Sequence, residues 1–101
     1  MIVVNVKAEI DSSSLDAMRA GIATMEAASR AEPGCQDYTF SVEVNDSSAL
    51  RITEKWDNME ALVAHFQMPH MEEFQKLLAA HPPKNMELNF YEAKVVAPPG
   101  M

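Results

Sequence analysis

A chain of 101 residues, 48% hydrophobic and 23% charged, can bury one modest core and is neither disordered nor divided into two domains. Acidic residues outnumber basic ones 15 to 8, so the formal charge of −7 excludes the concentrated positive surface that nucleic acid or an anionic membrane requires. No apolar run approaches the ~20 residues of a membrane span. No basic leader precedes the first strand pattern, and the single cysteine, Cys35, cannot form an intrachain disulfide, so a cytoplasmic protein is expected.

Residues 2–10 alternate, with Val4, Val6, Ala8 and Ile10 on one side and Val3, Asn5, Lys7 and Glu9 on the other, which predicts a strand. The short oxygens of Asp11, Ser12, Ser13 and Ser14 can accept the free N–H groups of a first helical turn. Leu15, Met18, Ile22 and Met25 then recur at helical spacing in a segment running to Ala31. Glu32-Pro33-Gly34 ends it, because proline cannot continue a helix and glycine accepts the left-handed exit. A second strand over 36–44 sets Tyr38, Phe40, Val42 and Val44 on one face, and Asn45 to Ser48 have turn composition. The third strand, 49–56, sends Leu50, Ile52, Glu54 and Trp56 to one side. Asn58 can cap a short helix in which Met59, Leu62, Val63 and Phe66 form a stripe. Pro69 suits the first turn of another, carrying Met71, Phe74, Leu77 and Leu78. A loop over 81–85, a last strand over 86–96 and a tail over 97–101 complete the chain, giving one domain over 1–96.

The order β-α-β-β-α-α-β predicts an α+β ferredoxin-like split β-α-β fold, a four-stranded antiparallel sheet with helices on one face. On the other face Val3, Tyr91, Ala93 and Val95 leave a partly apolar surface, which predicts a homodimer formed through the sheet.

Glu54 is in phase with Leu50, Ile52 and Trp56, so the strand pattern aims a carboxylate at the helix-packed face. Such a group is paired, protonated or facing a polar pocket; a strand-end glutamate escaping to solvent is the competing reading. His65 falls at the edge of the Met59/Phe66 stripe, where it can exchange a proton near neutral pH or simply hydrogen-bond locally at the surface. Truncation there should then remove few packing contacts. His70 occupies the matching edge of the next helix. Trp56, the only tryptophan, reads first as core, as do Phe40, Phe66 and Met68, while Tyr38 offers a wall and a phenolic hydrogen bond. There is no glycine-rich phosphate loop, no cysteine pair, and no HxH or HExxH spacing among His65, His70, His81 and Glu54, so no metal is expected. Cys35 has no histidine near it in sequence and does not read as a catalytic thiol.

The block EKWDNMEALVAHFQMPHMEEF, residues 54–74, with EPGCQDYTF, residues 32–40, resembles the antibiotic biosynthesis monooxygenase (ABM) family, in particular its small quinol-monooxygenase-like branch. The resemblance implies a dimeric α+β barrel with a pocket between sheet and helices in each subunit. It also implies oxidation of quinols or phenols by O₂ without flavin, haem or metal. Trp56 and His65 match pocket positions; Glu54, Tyr38 and Phe66 line the pocket, and Asn5 stands for an asparagine on the first strand. Haem-degrading relatives place an axial histidine where this chain has Gln75. The expected function is a cofactor-independent monooxygenase acting on a quinol or phenolic small molecule. In it His65 is the base, Glu54 assists it, Trp56, Phe66 and Met68 exclude water, Tyr38 orients an oxygen and His70 contributes to binding. The alternatives are an acid–base isomerase of a phosphorylated keto-sugar using His65 and Glu54, and a non-catalytic dimeric small-ligand binding protein.

Overall fold

A computed structural model describes residues 1–100 as β1 (Ile2–Glu9), α1 (Ser12–Arg30), β2 (Cys35–Glu43), β3 (Asp46–Trp56), α2 (Met59–Phe66), α3 (Pro69–Ala80) and β4 (Lys84–Glu92). The strands form one sheet in the order β2-β3-β1-β4, with every neighbouring pair antiparallel. This is the α+β ferredoxin-like arrangement. Val4, Val6 and Ile10 of the first strand segment join Leu15, Met18 and Met25 of α1, Leu62 of α2 and Phe74 of α3 in a single core. Burial of those side chains is the main force holding the helices to one sheet face.

Local chemistry sets the element ends. Asp11 Oδ1 accepts from the Ser14 N–H at 2.8 Å and from the Ser13 hydroxyl at 2.7 Å, and these bonds hold its carboxyl below the usual aspartate value. Asn58 Oδ1 accepts from the Ala61 N–H at 2.9 Å to start α2, and Pro69 opens α3 with no side-chain cap.

β2 lies at a sheet edge, so some of its backbone groups lack a neighbouring strand. Two residues of α1 one turn apart occupy them. Glu26 Oε2 accepts from the Phe40 N–H at 2.8 Å, and Arg30 Nε donates to the Tyr38 carbonyl at 2.9 Å. The helix is thereby fixed to the strand that carries Tyr38.

Gly34 turns the chain from α1 into β2 with φ of 83°, and a Cβ there would meet the Ala61 Cβ at 2.7 Å. Both backbone conformation and the close approach to α2 call for glycine. Gly34→Ala should therefore destabilise the fold by about 2 kcal/mol, read as a lowered urea midpoint at unchanged slope.

Four expectations need correction. The β2–β3 turn is Val44 and Asn45 only; Asp46, Ser47 and Ser48 already pair in β3. The last strand runs over Lys84–Glu92, starting earlier and ending four residues before Val96. At its start Asn85 takes a left-handed conformation (φ 51°) where the register against β1 shifts between Lys7 and Glu9, a bulge that asparagine tolerates. The sheet face away from the helices is mostly polar: Asn5 pairs with Thr53 and Asn89, and Lys7 with Arg51 and Glu87, leaving Val3 and Tyr91 as its apolar members. The uncovered apolar surface lies instead on the helix side of β4, where Met86, Leu88 and Phe90 remain half exposed. Of the helices, α3 meets only the start of this row, where Phe74 and Leu78 line a small cavity with Met86.

The fourth correction concerns α2, which is rotated from the predicted stripe. Leu62 and His65 are buried, whereas Met59, Val63 and Phe66 stand about half exposed. The reason lies in the partner that waits for His65.

Candidate active site

The turn Glu32-Pro33-Gly34 aims a carboxylate inward. Its backbone is tied by the Glu32 N–H to the Ser29 carbonyl at 3.0 Å, and by the Asp57 N–H to the Gly34 carbonyl at 2.8 Å. Glu32 Oε2 faces two imidazoles: His65 Nδ1 at 2.6 Å and His70 Nε2 at 2.8 Å. A carboxylate oxygen accepts from both, which places the His65 hydrogen on Nδ1 and leaves the Nε2 lone pair on the opposite edge of the ring. That Nε2 is buried without a partner, and no acceptor faces it to receive a second hydrogen.

Aromatic rings enclose the imidazole. Trp56 stacks on it at 4.7 Å between centroids, with Tyr38 at 5.3 Å and Phe66 at 5.7 Å. His65 and Trp56 are both 0% exposed. Glu54 is buried as its phase predicts, lying in register between Val4 of β1 and Tyr38 of β2. Its Oε1 accepts from the Trp56 indole N–H at 3.0 Å, an i to i+2 contact along one face of β3. The hydrogen-bond partner of Glu54 is thus Trp56, and the carboxylate bonded to His65 is that of Glu32. Burial pushes the Tyr38 phenol far up, the Glu54 charge adds to this, and Ser29 opposes it, so Tyr38 is a neutral hydroxyl. Burial likewise pushes the Cys35 thiol up, with Glu32 adding to the effect, as suits a structural cysteine.

Glu32 Oε1 and His65 Nε2 are buried polar atoms with no partner, and both belong to this cluster. Native interiors rarely leave such atoms unpaired, so two in one cluster single it out as the candidate site.

Of the residues singled out in the sequence, His65, His70, Tyr38, Glu54, Trp56 and Phe66 come together. Met68 is half-buried in the break between α2 and α3, and its backbone N–H bonds to the His65 carbonyl at 3.1 Å. Asn5 does not belong to the site. It is exposed on the opposite sheet face, as period-two alternation with Val4 and Val6 requires. Glu32 escaped the sequence reading because it stands 33 and 38 residues from its two partners and reads locally as turn punctuation. A carboxylate beside Pro-Gly, where a turn needs none, was the one local signal.

Glu54 carries a pH prediction. Burial holds its carboxyl above the ordinary 4.5; the Trp56 N–H and then His65 oppose this, and Glu32 adds to it. The folded chain therefore favours the neutral acid, so the contribution of Glu54 to stability is full below 4.5 and is lost as pH rises through the elevated value. Glu54→Gln keeps an acceptor for Trp56 and removes that loss. The variant's urea midpoint should exceed that of the wild type by a margin that opens across this window; parallel curves would contradict the assignment.

The family description antibiotic biosynthesis monooxygenase matches residues 1–77. A structure from Deinococcus radiodurans bearing the antibiotic biosynthesis monooxygenase name superposes with a TM-score of 0.87, at 22% identity over 97% of each chain. One from Nitrosomonas europaea with the same name gives 0.84 at 17% identity, covering 92% of this chain and 98% of that one. A conserved Methanosarcina mazei protein gives 0.84 at 25% identity over 92% of both chains. An uncharacterized Synechocystis protein is 41% identical over 46 residues, which span 46% of this chain and 31% of the relative's length. No helix among the described residues is long and apolar enough to cross a membrane. With a matching fold across the chain and a family match over three quarters of it, the chain belongs to the antibiotic biosynthesis monooxygenase (ABM) family.

Proposed function

We propose that the chain is a monooxygenase that oxidises a quinol or phenolic small molecule with O₂, using His65 as its base. The observation that carries this reading is the Glu32–His65 pair, with a carboxylate on Nδ1 and a free lone pair on Nε2 inside an aromatic enclosure. Nε2 takes the phenolic proton, and Glu32 stabilises the imidazolium that results. The phenolate gives one electron to O₂, and the phenoxyl radical and superoxide combine at a ring carbon. The resulting peroxide takes back a proton and loses water, leaving the quinone: one oxygen atom enters the product and the other leaves as water. The substrate supplies the electrons, so the steps call on no cofactor. Tyr38, a neutral phenol, orients an oxygen, and Trp56 and Phe66 keep bulk water from the radical pair.

The Glu32 carboxylate stands beside the ring, an arrangement that disfavours a phosphorylated sugar and so weighs against the isomerase alternative. A homodimer and a cytoplasmic location belong to the same reading. The dimer contact moves to the exposed Met86, Leu88 and Phe90 of β4, and sedimentation as two chains checks it.

The test is an oxygen electrode with a panel of naphthohydroquinones and phenols. Protein-dependent oxygen uptake with quinone formation is the expected result. Absence of uptake across the panel overturns the reading, and O₂-independent conversion of a phosphorylated keto-sugar establishes the isomerase instead.

A further inference from the structure

Glu32, His65 and His70 come from the turn after α1, from α2 and from α3, yet one potential ligand atom of each gathers in one place. His65 Nδ1 and His70 Nε2 stand 2.6 and 2.8 Å from the same oxygen, Glu32 Oε2, and the three atoms lie within 4.8 Å of one another. Hydrogen bonds account for those two contacts. They do not account for Glu32 Oε1, which is buried without a partner on a side chain only 6% exposed.

We propose that Glu32, His65 and His70 bind a divalent transition-metal ion of the zinc and cobalt class, as a site of two imidazoles and one carboxylate. Nitrogen with oxygen in that ratio suits zinc, cobalt, nickel or iron, whereas magnesium and calcium prefer oxygen throughout. Ligands about 2.0–2.2 Å from an ion stand roughly 3.3 Å apart in a tetrahedron. The present oxygen–nitrogen separations must open by about half an ångström to reach that spacing. Rotation of the Glu32 carboxylate opens those separations and brings the unpartnered Oε1 toward the ion, while rotation of the half-buried His70 ring draws the two nitrogens, within 4.8 Å of one another, together. Three protein ligands leave a further position open.

Electrostatics favour a cation here. Two neutral imidazoles and one carboxylate leave a single negative charge, and the nearby Glu54 adds to the negative potential when ionised. An entry path exists as well. The His70 side chain is 18% exposed and forms part of the wall of a groove of about 400 Å³ between α1 and α3, beside Glu73. No spacing motif announces the site, because the two histidines flank the break at Gln67 and Met68 rather than sharing a helix face.

An ion on His65 Nδ1 leaves the ring hydrogen on Nε2, so a loaded chain lacks the base invoked above and should be inhibited. That consequence alone rests on the proposed function; the binding does not.

The experiment titrates chelator-treated protein with Co²⁺, following visible d–d absorption and binding calorimetry for wild type, His70→Ala, His70→Gln and His81→Ala. Circular dichroism confirms that each variant is folded. Wild type should bind one Co²⁺ with the intense absorption of a low-coordinate nitrogen–oxygen site, and His81→Ala should match it. The His70 variants should lose more than the roughly 10–100-fold in affinity that removal of an outer-shell partner costs. Absence of the absorption in wild type, or equal affinity in a folded His70 variant, overturns the site and assigns any bound cobalt to acidic surface. Quinol oxidation is assayed separately with metal-free protein. Its absence overturns the proposed reaction and leaves the cobalt result standing.

Discussion

Glu32→Gln keeps the fold and slows quinol-dependent oxygen consumption by about a hundredfold or more. The amide oxygen of glutamine can still accept from His65 Nδ1 and His70 Nε2, so both rings keep a partner and the turn its shape. What is lost is the charge that stabilises His65 once Nε2 has taken the substrate's proton. In the wild type the carboxylate oxygen lies 2.6 Å from Nδ1, in an interior where His65 is wholly buried and the charge is little screened. Stability should fall by only roughly 1–3 kcal/mol, the difference between charged and neutral acceptors for two hydrogen bonds. An oxygen electrode and a urea titration on the same preparation separate the two effects. Full turnover with reduced stability would make Glu32 purely structural.

Trp56→Ala should cost ~3–5 kcal/mol, because a fully buried indole at the end of β3 leaves a cavity that the sheet cannot collapse to fill. Its loss also strips Glu54 Oε1 of its buried donor. His65→Ala belongs in nearly the same class, at ~2–4 kcal/mol, since the ring packs on Trp56 and Tyr38 and its removal leaves Glu32 short of a donor. The stripe pattern had placed His65 at an edge, where truncation is cheap; burial reverses that expectation. Urea midpoints for both variants check the pair. A His65→Ala protein as stable as wild type would mean that the ring is not packed in the core.

The element order, the antiparallel sheet and the helix-facing phase of Glu54 and Trp56 were legible in the sequence. Each rests on a local period: two for strands, 3.6 for helices, punctuated by Asp11, Asn58, Pro33 and Pro69. The block from Glu54 to Phe74 carried the family resemblance.

What the sequence could not reach was anything that depends on two distant segments meeting. Hydrophobic periodicity turns α2 toward Phe66 and Val63, because it weighs side chains by apolarity. The folded chain turns it toward His65, because of the α2 side chains that ring alone can meet the buried Glu32 carboxylate, and an unpaired charge in the interior costs more than two half-exposed apolar side chains. Glu32 itself was invisible as a functional residue, being 33 positions from one partner and 38 from the other. The uncovered apolar row likewise depended on how far three helices extend across four strands. Period alone assigns Leu88 and Phe90 to the helix face; only tertiary packing decides that no helix arrives there.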